Sequence, residues 1–218
     1  MNQRASTRGA ILSLAILAAA AIAACGDSGG STPTTPTTPT PTAQLPAMSV
    51  MLAEKSIGSA TAPVTMLAYS SLTCSHCGDF HTTTLAQLKS SYIDTGRMRF
   101  VFRDFSRNDA DTAASMVARC SGDGFFTTVD ALFRSQNAWA YSTNYTAAIK
   151  TVVAPLGITA ATVDACLASS ELRNGVLAIR ESGFGTYGIT GTPTFIINGQ
   201  KVVGAYPYAY FAGIIDSF

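Results

Sequence analysis

Two cysteines separated by two residues are the side chains in this sequence best suited to chemistry. Cys74, Ser75, His76 and Cys77 follow the apolar run Val64–Ser70 and begin a stretch with helical periodicity. The thiols therefore stand where a strand is predicted to end and a helix to begin. Because a helix N-terminus favours negative charge and His76 can add a donor or a positive charge, we expect a lowered pKa for Cys74. The pattern predicts a redox-active pair.

Two other interpretations of this motif stay open. The cysteines can be half of a zinc site, although closed structural zinc sites usually need four Cys or His ligands. The chain has only two histidines, His76 and His81, and both lie close to the motif. The cysteines can also form an inert structural disulfide. The change from strand to helix favours redox chemistry, and we expect no metal at this site.

The N-terminal residues have the composition of an export signal. Arg4 and Arg8 precede an apolar stretch at residues 10–24, which ends in small residues. This stretch is about 15 residues long, whereas a membrane-spanning helix needs about 20. We therefore predict a signal peptide at residues 1–24.

The residues after the signal resemble the start of a lipoprotein. Residues 22–25, Ile-Ala-Ala-Cys, resemble the lipobox of bacterial lipoproteins, so Cys25 is the expected lipidation site. Ordinary cleavage that leaves Cys25 free is the alternative. The Thr/Pro-rich segment that follows can bury little apolar surface, and residues 25–46 are predicted to form a lipid-anchored linker. The expected location is the periplasm or cell envelope, with membrane contact through the lipid anchor only.

The charge balance excludes some classes of partner. The 14 basic and 13 acidic residues give a formal net charge of +1. A nearly neutral chain carries no sign of nucleic-acid binding, because polyanion partners require an excess of positive charge.

A second cysteine pair remains once Cys25, Cys74 and Cys77 are assigned. Cys120 and Cys166 can stay oxidised in an exported protein, and we predict a structural disulfide between them. The alternative is that both are small buried hydrophobic side chains without a bond.

Hydrophobic patterning predicts a β-α-β unit in the first part of the chain. Val64–Ser70 and residues 97–105 are typical of buried strands, and residues 48–52 are predicted to form a weaker strand before them. Between the two main strands a helical pattern runs from Cys74 to the break at residues 95–96. This crossover is long enough for parallel pairing.

The remainder is predicted to be a helical segment followed by a closing hairpin and a helix. Helical stripes continue from residue 108 to about residue 183, and they place Cys120 and Cys166 on inward faces. Strands are expected at residues 194–197 and 201–203, joined by an Asn-Gly turn, with a final helix at 208–218. This order describes an α/β fold with an all-helical insertion.

Three separated segments of the chain resemble the DsbA-like thiol:disulfide oxidoreductases. The matching segments are residues 62–65 with 72–77, then Arg119-Cys120 with Phe125-Phe126 and Leu132-Phe133, then residues 191–199. The resemblance spans about residues 55–218. It implies a thioredoxin fold whose core is formed by residues 47–107 and 184–218, with a helical domain inserted at residues 108–183.

The resemblance also implies roles for individual residues. Thr192 and Pro193 match a threonine and cis-proline loop that faces the active site, although Pro193 can also be an ordinary turn proline before a strand. Cys74 would form the mixed disulfide with a substrate protein, and Cys77 would be the resolving thiol. Thr192 and Ser75 would contact the substrate, while Pro193 would keep a backbone donor away from the sulfurs.

Three departures from the family pattern leave the direction of electron flow open. Ser75 stands where the best-known oxidases have proline, Thr192 where they have valine, and Ala68 where many members have a buried glutamate. The expected function is oxidation of reduced or misoxidised exported proteins, with reoxidation by a DsbB-like membrane partner and no organic cofactor. A disulfide isomerase or reductase on the same scaffold, or a soft-metal-binding module, is the alternative.

Overall fold

A five-stranded mixed sheet forms the centre of the protein. The structure is a computed structural model, and it describes residues 44–218. The strands lie in the order β1-β3-β2-β4-β5. Strands β2 and β3 are parallel and all other neighbours are antiparallel, which confirms the predicted parallel crossover. The strands are β1 Lys55–Ile57, β2 Val64–Ser70, β3 Met98–Asp104, β4 Thr194–Ile197 and β5 Gln200–Val203.

Helices cover the sheet and fill the long connection between β3 and β4. The π-helical turns Phe80–Thr84 and Lys89–Ile93 continue α2 and α3 into one helical run, and short 3-10 turns lie at Gly122–Gly124 and Ala154–Leu156. The helices are α1 Met48–Met51, α2 Ser75–Asp79, α3 Leu85–Leu88, α4 Asp109–Cys120, α5 Phe125–Arg134, α6 Gln136–Trp139, α7 Tyr145–Val153, α8 Ala160–Ala168, α9 Ser170–Tyr187 and α10 Tyr208–Ile215.

An aromatic cluster holds the helix after the cysteine motif against the sheet. The ring centroid of Phe80 lies 4.4 Å from that of Phe195 in β4 and 5.4 Å from that of Phe211 in α10. Burial of Phe80 sets the rotation of α2, because residues three apart share one face of a helix. Cys77 consequently faces the core, whereas His76 is exposed.

The helical insertion is built on α4 to α9. Helix α4 begins at an N-cap in which the Asn108 side chain accepts a hydrogen bond from the Asp111 backbone N–H. Helix α9 extends to Tyr187, beyond the boundary expected at residue 183, and it ends where Gly188 adopts a left-handed conformation with φ 58°. The division into core and insertion by residue number stays a prediction.

Two short elements near the start of the described chain differ from expectation. The strand predicted at residues 48–52 is wrong, because this segment forms the single helical turn α1. The Ala47 carbonyl accepts hydrogen bonds from the N–H groups of Val50 and Met51, and Met51 is buried against Cys120. Tertiary packing thus overrides the strand preference. Strand β1, three residues long, is too short to produce a recognisable alternation.

The predicted N-terminal signal and anchor lie outside the described residues. This applies to the signal peptide at residues 1–24, to Cys25 and to most of the linker at residues 25–46. Within residues 44–218, every helix is too short or too polar to span a membrane.

Candidate active site

The end of β2 and the start of α2 place Cys74 at a helix N-terminus. A tight turn closes between them, in which the Cys74 N–H donates to the Ser71 carbonyl oxygen at 3.1 Å. Cys74 is the N-cap residue of α2, and its own carbonyl oxygen accepts hydrogen bonds from the N–H groups of Cys77 and Gly78, each at 3.1 Å. The unpaired N–H groups of the first helical turn favour a negative charge at this position. The predicted strand-to-helix junction is therefore present.

The two thiols of the motif have opposite acidities. The pKa of Cys74 is lowered to about 5, chiefly because the Cys77 thiol hydrogen-bonds to the Cys74 sulfur. The Thr192 side chain, the Cys77 backbone N–H and the positive charge of Arg107 lower this pKa further, while burial opposes them. Cys74 is thus a thiolate at neutral pH.

Cys77 lies deeper, and its pKa is raised well above the usual range. Burial is the main cause, followed by the hydrogen bond to Cys74, while hydrogen bonds from the Ser70 side chain and the Ser71 backbone act in the opposite direction. Cys77 is only 1 % exposed and both cysteines are free thiols. A buried protonated thiol beside a stabilised thiolate makes the pair asymmetric.

The loop before β4 lies directly against the Cys74 sulfur. The Thr192–Pro193 peptide bond is cis, and Cys74 Sγ lies 3.4 Å from the Thr192 carbonyl oxygen. Thr192 Oγ1 is buried and has no hydrogen-bond partner within residues 44–218. When Cys74 ionises, this hydroxyl can donate to the thiolate, which is the contribution of Thr192 to the lowered pKa. Pro193 is buried and presents no N–H.

A groove of about 340 Å³ opens beside Cys74. One wall is the cysteine motif, another is Thr192, and a third comes from Arg107 and the exposed ring of Tyr141. Ser75 and His76 also line the groove, and substrate contact by Ser75 stays a prediction. The groove opens onto Cys74, which is the more accessible of the two cysteines.

The structure does not bring the His76 imidazole to the Cys74 sulfur. The His76 side chain is 76 % exposed, and its Nδ1 lies 3.9 Å from Asp79 Oδ2. The hydrogen bonds that act on Cys74 come instead from Cys77 and Thr192. A role for His76 in catalysis stays a prediction.

Two side chains from the insertion contact the turn before Cys74, and neither was predicted from the sequence. Asp111 accepts hydrogen bonds from Ser71 Oγ and from the Leu72 N–H, and burial raises its pKa to about 6. Gln136 Nε2 donates to the carbonyl oxygens of Leu72 and Cys74. Asn108 signals a helix start three residues before Asp111, but nothing in the local pattern marks Gln136.

The second cysteine pair forms a disulfide in the structure. The Cys120 and Cys166 sulfurs are 2.09 Å apart, and the bond joins the buried faces of α4 and α8. Among the cysteines of residues 44–218, Cys74 and Cys77 remain free. Within residues 44–218, no three His, Cys, Asp or Glu side chains are grouped so as to hold a metal ion.

The fold and the site together define a class of protein. A thioredoxin family model matches residues 52–217, and the chain belongs to that family. Its α/β fold is thioredoxin-like in the DsbA form, with a helical region inserted in the five-stranded sheet, as predicted.

Particular relatives share both the fold and part of the sequence. The crystal structure of Wolbachia pipientis alpha-DsbA1 matches with a TM-score of 0.71 and 28% identity, covering 79% of this chain and 92% of that one. A protein-disulfide isomerase from Novosphingobium aromaticivorans matches with a TM-score of 0.67 and 26% identity over 75% of this chain and 96% of that one.

Curated relatives are longer than the matching part of this chain. A Rickettsia bellii protein named "Putative protein-disulfide oxidoreductase" is 29% identical over 147 residues, which is 66% of this chain and 57% of that protein. The chain thus spans somewhat more than half the length of the curated relatives that it matches.

Proposed function

We propose that this protein is a thiol:disulfide oxidoreductase that introduces disulfides into exported proteins through Cys74 and Cys77. The observation that carries the proposal is the asymmetry of the pair. The lowered pKa of Cys74, to about 5, makes its sulfur a good leaving group, while Cys77 is buried beneath it. The names of the relatives, which include protein-disulfide oxidoreductases and an isomerase, support the same chemical class.

The reaction begins with the oxidised pair. A substrate thiolate attacks Cys74 Sγ, the Cys74–Cys77 bond breaks, and Cys77 leaves and takes up a proton, as its raised pKa favours. A second substrate thiolate then attacks the substrate sulfur of the mixed disulfide. Cys74 leaves as a thiolate, the substrate holds the new disulfide, and the enzyme has gained the two electrons.

The same asymmetry supports oxidation as the preferred direction. Stabilising the Cys74 thiolate stabilises the reduced enzyme, so the disulfide form becomes a stronger oxidant. Thr192 contributes to this through its buried hydroxyl, even though it replaces the valine of the best-known oxidases. We assign isomerase or reductase activity on this scaffold second place.

The proposed location and partners follow from the chemistry. An oxidase needs a compartment in which disulfides persist, and the Cys120–Cys166 disulfide is compatible with one. We place the protein in the cell envelope, held by a lipid on Cys25 and reoxidised by a DsbB-like membrane protein. Its substrates are reduced exported proteins, whose extended cysteine-containing segments enter the groove beside Thr192.

Disulfide transfer to a reduced two-cysteine peptide tests the chemistry. The oxidised wild type should form the peptide disulfide, and Cys74→Ser should abolish transfer. Cys77→Ser in the reduced state should instead trap a mixed disulfide on Cys74 when an oxidised substrate is added. Full transfer by Cys74→Ser would refute the mechanism, and stoichiometric Cu(I) binding without any exchange would favour the metal-binding module.

The redox equilibrium with glutathione tests the direction. An oxidase should have a potential well above that of thioredoxin, which is about −270 mV. A value close to the thioredoxin potential would assign the protein as a reductase. Modification of Cys25 by lipid can be read separately, from the mass of the mature protein isolated from membranes.

A further inference from the structure

The turn that carries Cys74 is held by side chains from the helical insertion. Leu72 lies two residues before Cys74, and its backbone N–H and carbonyl groups both form hydrogen bonds with side chains of the insertion. Its N–H donates to Asp111 Oδ1 at 2.8 Å, and its carbonyl oxygen accepts from Gln136 Nε2 at 2.7 Å. Leu72 is 1 % exposed, so neither bond is readily replaced by water.

Gln136 joins this turn to the first turn of α2. Its Nε2 also donates to the Cys74 carbonyl oxygen at 3.0 Å, the same oxygen that accepts the N–H groups of Cys77 and Gly78. One buried amide group thus ties Leu72 to Cys74. This carbonyl accepts the first backbone hydrogen bonds of α2. A shift of Gln136 would therefore change the position of the Cys74 sulfur relative to the Cys77 sulfur.

Asp111 holds the other side of the turn. Its Oδ2 accepts from Ser71 Oγ at 2.5 Å and from the Arg107 N–H at 2.9 Å. Arg107 is a residue whose charge stabilises the Cys74 thiolate, and the Ser71 backbone donates to Cys77. A single fully buried carboxylate therefore connects the turn, the segment of Arg107 and the start of α4.

We propose that Asp111 and Gln136 are positioning residues that hold the turn at Leu72 so that Cys77 and Thr192 donate to the Cys74 thiolate. The helical insertion thereby sets how strongly the reduced enzyme is stabilised, although it supplies neither redox sulfur. The inference rests on the proposed function for its biological consequence. The placement of hydrogen-bond donors around the Cys74 thiolate affects the pKa of that thiol, which can be measured without a substrate.

The effect of Gln136→Met on the Cys74 thiolate tests the proposal. Methionine keeps most of the side-chain volume and removes both donated hydrogen bonds. We expect the pKa of Cys74, read from thiolate ultraviolet absorbance, to rise by about one unit. The equilibrium constant with glutathione at neutral pH should then shift about tenfold towards the reducing side. Asn137→Met, an exposed change on the same helix, is the matched control and should leave both values unchanged.

Other results would overturn the proposal. If Gln136→Met lowers the thermal unfolding temperature and leaves the thiolate pKa at the wild-type value, Gln136 is only structural. Should this variant fail to fold, Gln136→Leu also loses both donors without adding a charge, and Asp111→Asn keeps an acceptor for Leu72 but none for Ser71 and Arg107. Both should raise the thiolate pKa.

A measurement on the unaltered protein covers the case in which no variant folds. In the reduced wild type, the side-chain amide resonances of Gln136 should titrate together with Cys74, and constant resonances would reject the coupling. A wild type without disulfide transfer would reject the proposed function instead. In such a protein the pKa of the Cys74 thiolate could still be measured, and it would still test the positioning role of Asp111 and Gln136.

Discussion

Arg119 and Asp104 form an ion pair in the interior, with Arg119 Nη2 2.6 Å from Asp104 Oδ2 and both side chains at most 1 % exposed. Arg119 Nη1 also donates to the Met51 and Ala53 carbonyl oxygens. The guanidinium therefore connects α4 of the insertion with the end of β3, with the last residue of α1 and with Ala53.

Removal of one partner of this pair should be costly. Arg119→Met leaves the buried Asp104 carboxylate without its ion-pair partner, so we expect a loss of about 3–5 kcal/mol in the free energy of unfolding. Chemical denaturation measures it. Arg134→Met breaks the exposed pair with Asp130, which solvent screens, and should cost far less than Arg119→Met. Equal losses in the two variants would contradict the assigned role of burial.

A second prediction concerns Gly183, at which α9 packs closely against Tyr69 of the sheet. A Cβ built on Gly183 would lie 2.4 Å from Tyr69 Cε1, and the Tyr69 ring is buried. Gly183→Ala should therefore destabilise the protein by about 1–3 kcal/mol through overpacking. Gly185 lies in the same helix with nothing within 4 Å of its Cβ position. Gly185→Ala should stabilise by about 0.5–1 kcal/mol, and thermal unfolding of the two variants should shift in opposite directions.

The stability of the reduced protein should depend on pH through Cys74. Its pKa is about 5 in the folded protein against an ordinary value of 9.0, so ionisation stabilises the folded state above pH 5. This contribution is lost as the pH falls through about 5. Since the oxidised protein has no Cys74 thiol, the unfolding free energy of the reduced form relative to the oxidised form should rise between about pH 5 and pH 7. The slope is at most about 1.4 kcal/mol per pH unit.

Denaturant titrations of both redox forms at several pH values measure this difference. Asp111, with its pKa raised to about 6, is present in both forms, so its own contribution largely cancels. Reduced Cys74→Ser, which cannot form the Cys74–Cys77 disulfide, should lack the part of the rise in unfolding free energy between about pH 5 and pH 7 that Cys74 contributes to the reduced wild type. A difference that stays constant between about pH 5 and pH 7 in the wild type would mean that Cys74 is not a stabilised thiolate.

Loss of the second disulfide should affect stability more than chemistry. The Cys120–Cys166 bond closes a loop with a sequence separation of 46 residues, and its removal should reduce the free energy of unfolding by about 2–4 kcal/mol. The double variant Cys120→Ala/Cys166→Ala should keep the wild-type thiolate pKa of Cys74. A large change in the pKa of Cys74 with unchanged stability would contradict this prediction. It would mean that the second disulfide acts on the active site and not on stability.

Much of the fold follows from local patterns in the chain. The apolar run at β2, the helical stripes of α4 and α5 and the Asn198-Gly199 turn all depend on residues close in sequence, and the structure has each of them. Two segments with weak local patterns were not predicted correctly: β1 was missed, and α1 was expected to be a strand. Strand β1 is stabilised by pairing with β3, and α1 by packing of Met51 near the second disulfide.

From the amino-acid sequence alone it was possible to predict a redox role for Cys74 and Cys77, the strand-to-helix junction that holds them and the inserted helical region. These depend on residue types and short spacings. The tertiary structure decided the acidity of the pair, because Thr192 approaches Cys74 across a separation of 118 residues, and Asp111 and Gln136 reach Leu72 across 39 and 64. Hydrogen bonds to a buried thiolate depend on distances of a few ångströms, and only the packing of the whole chain sets such distances between residues far apart in sequence.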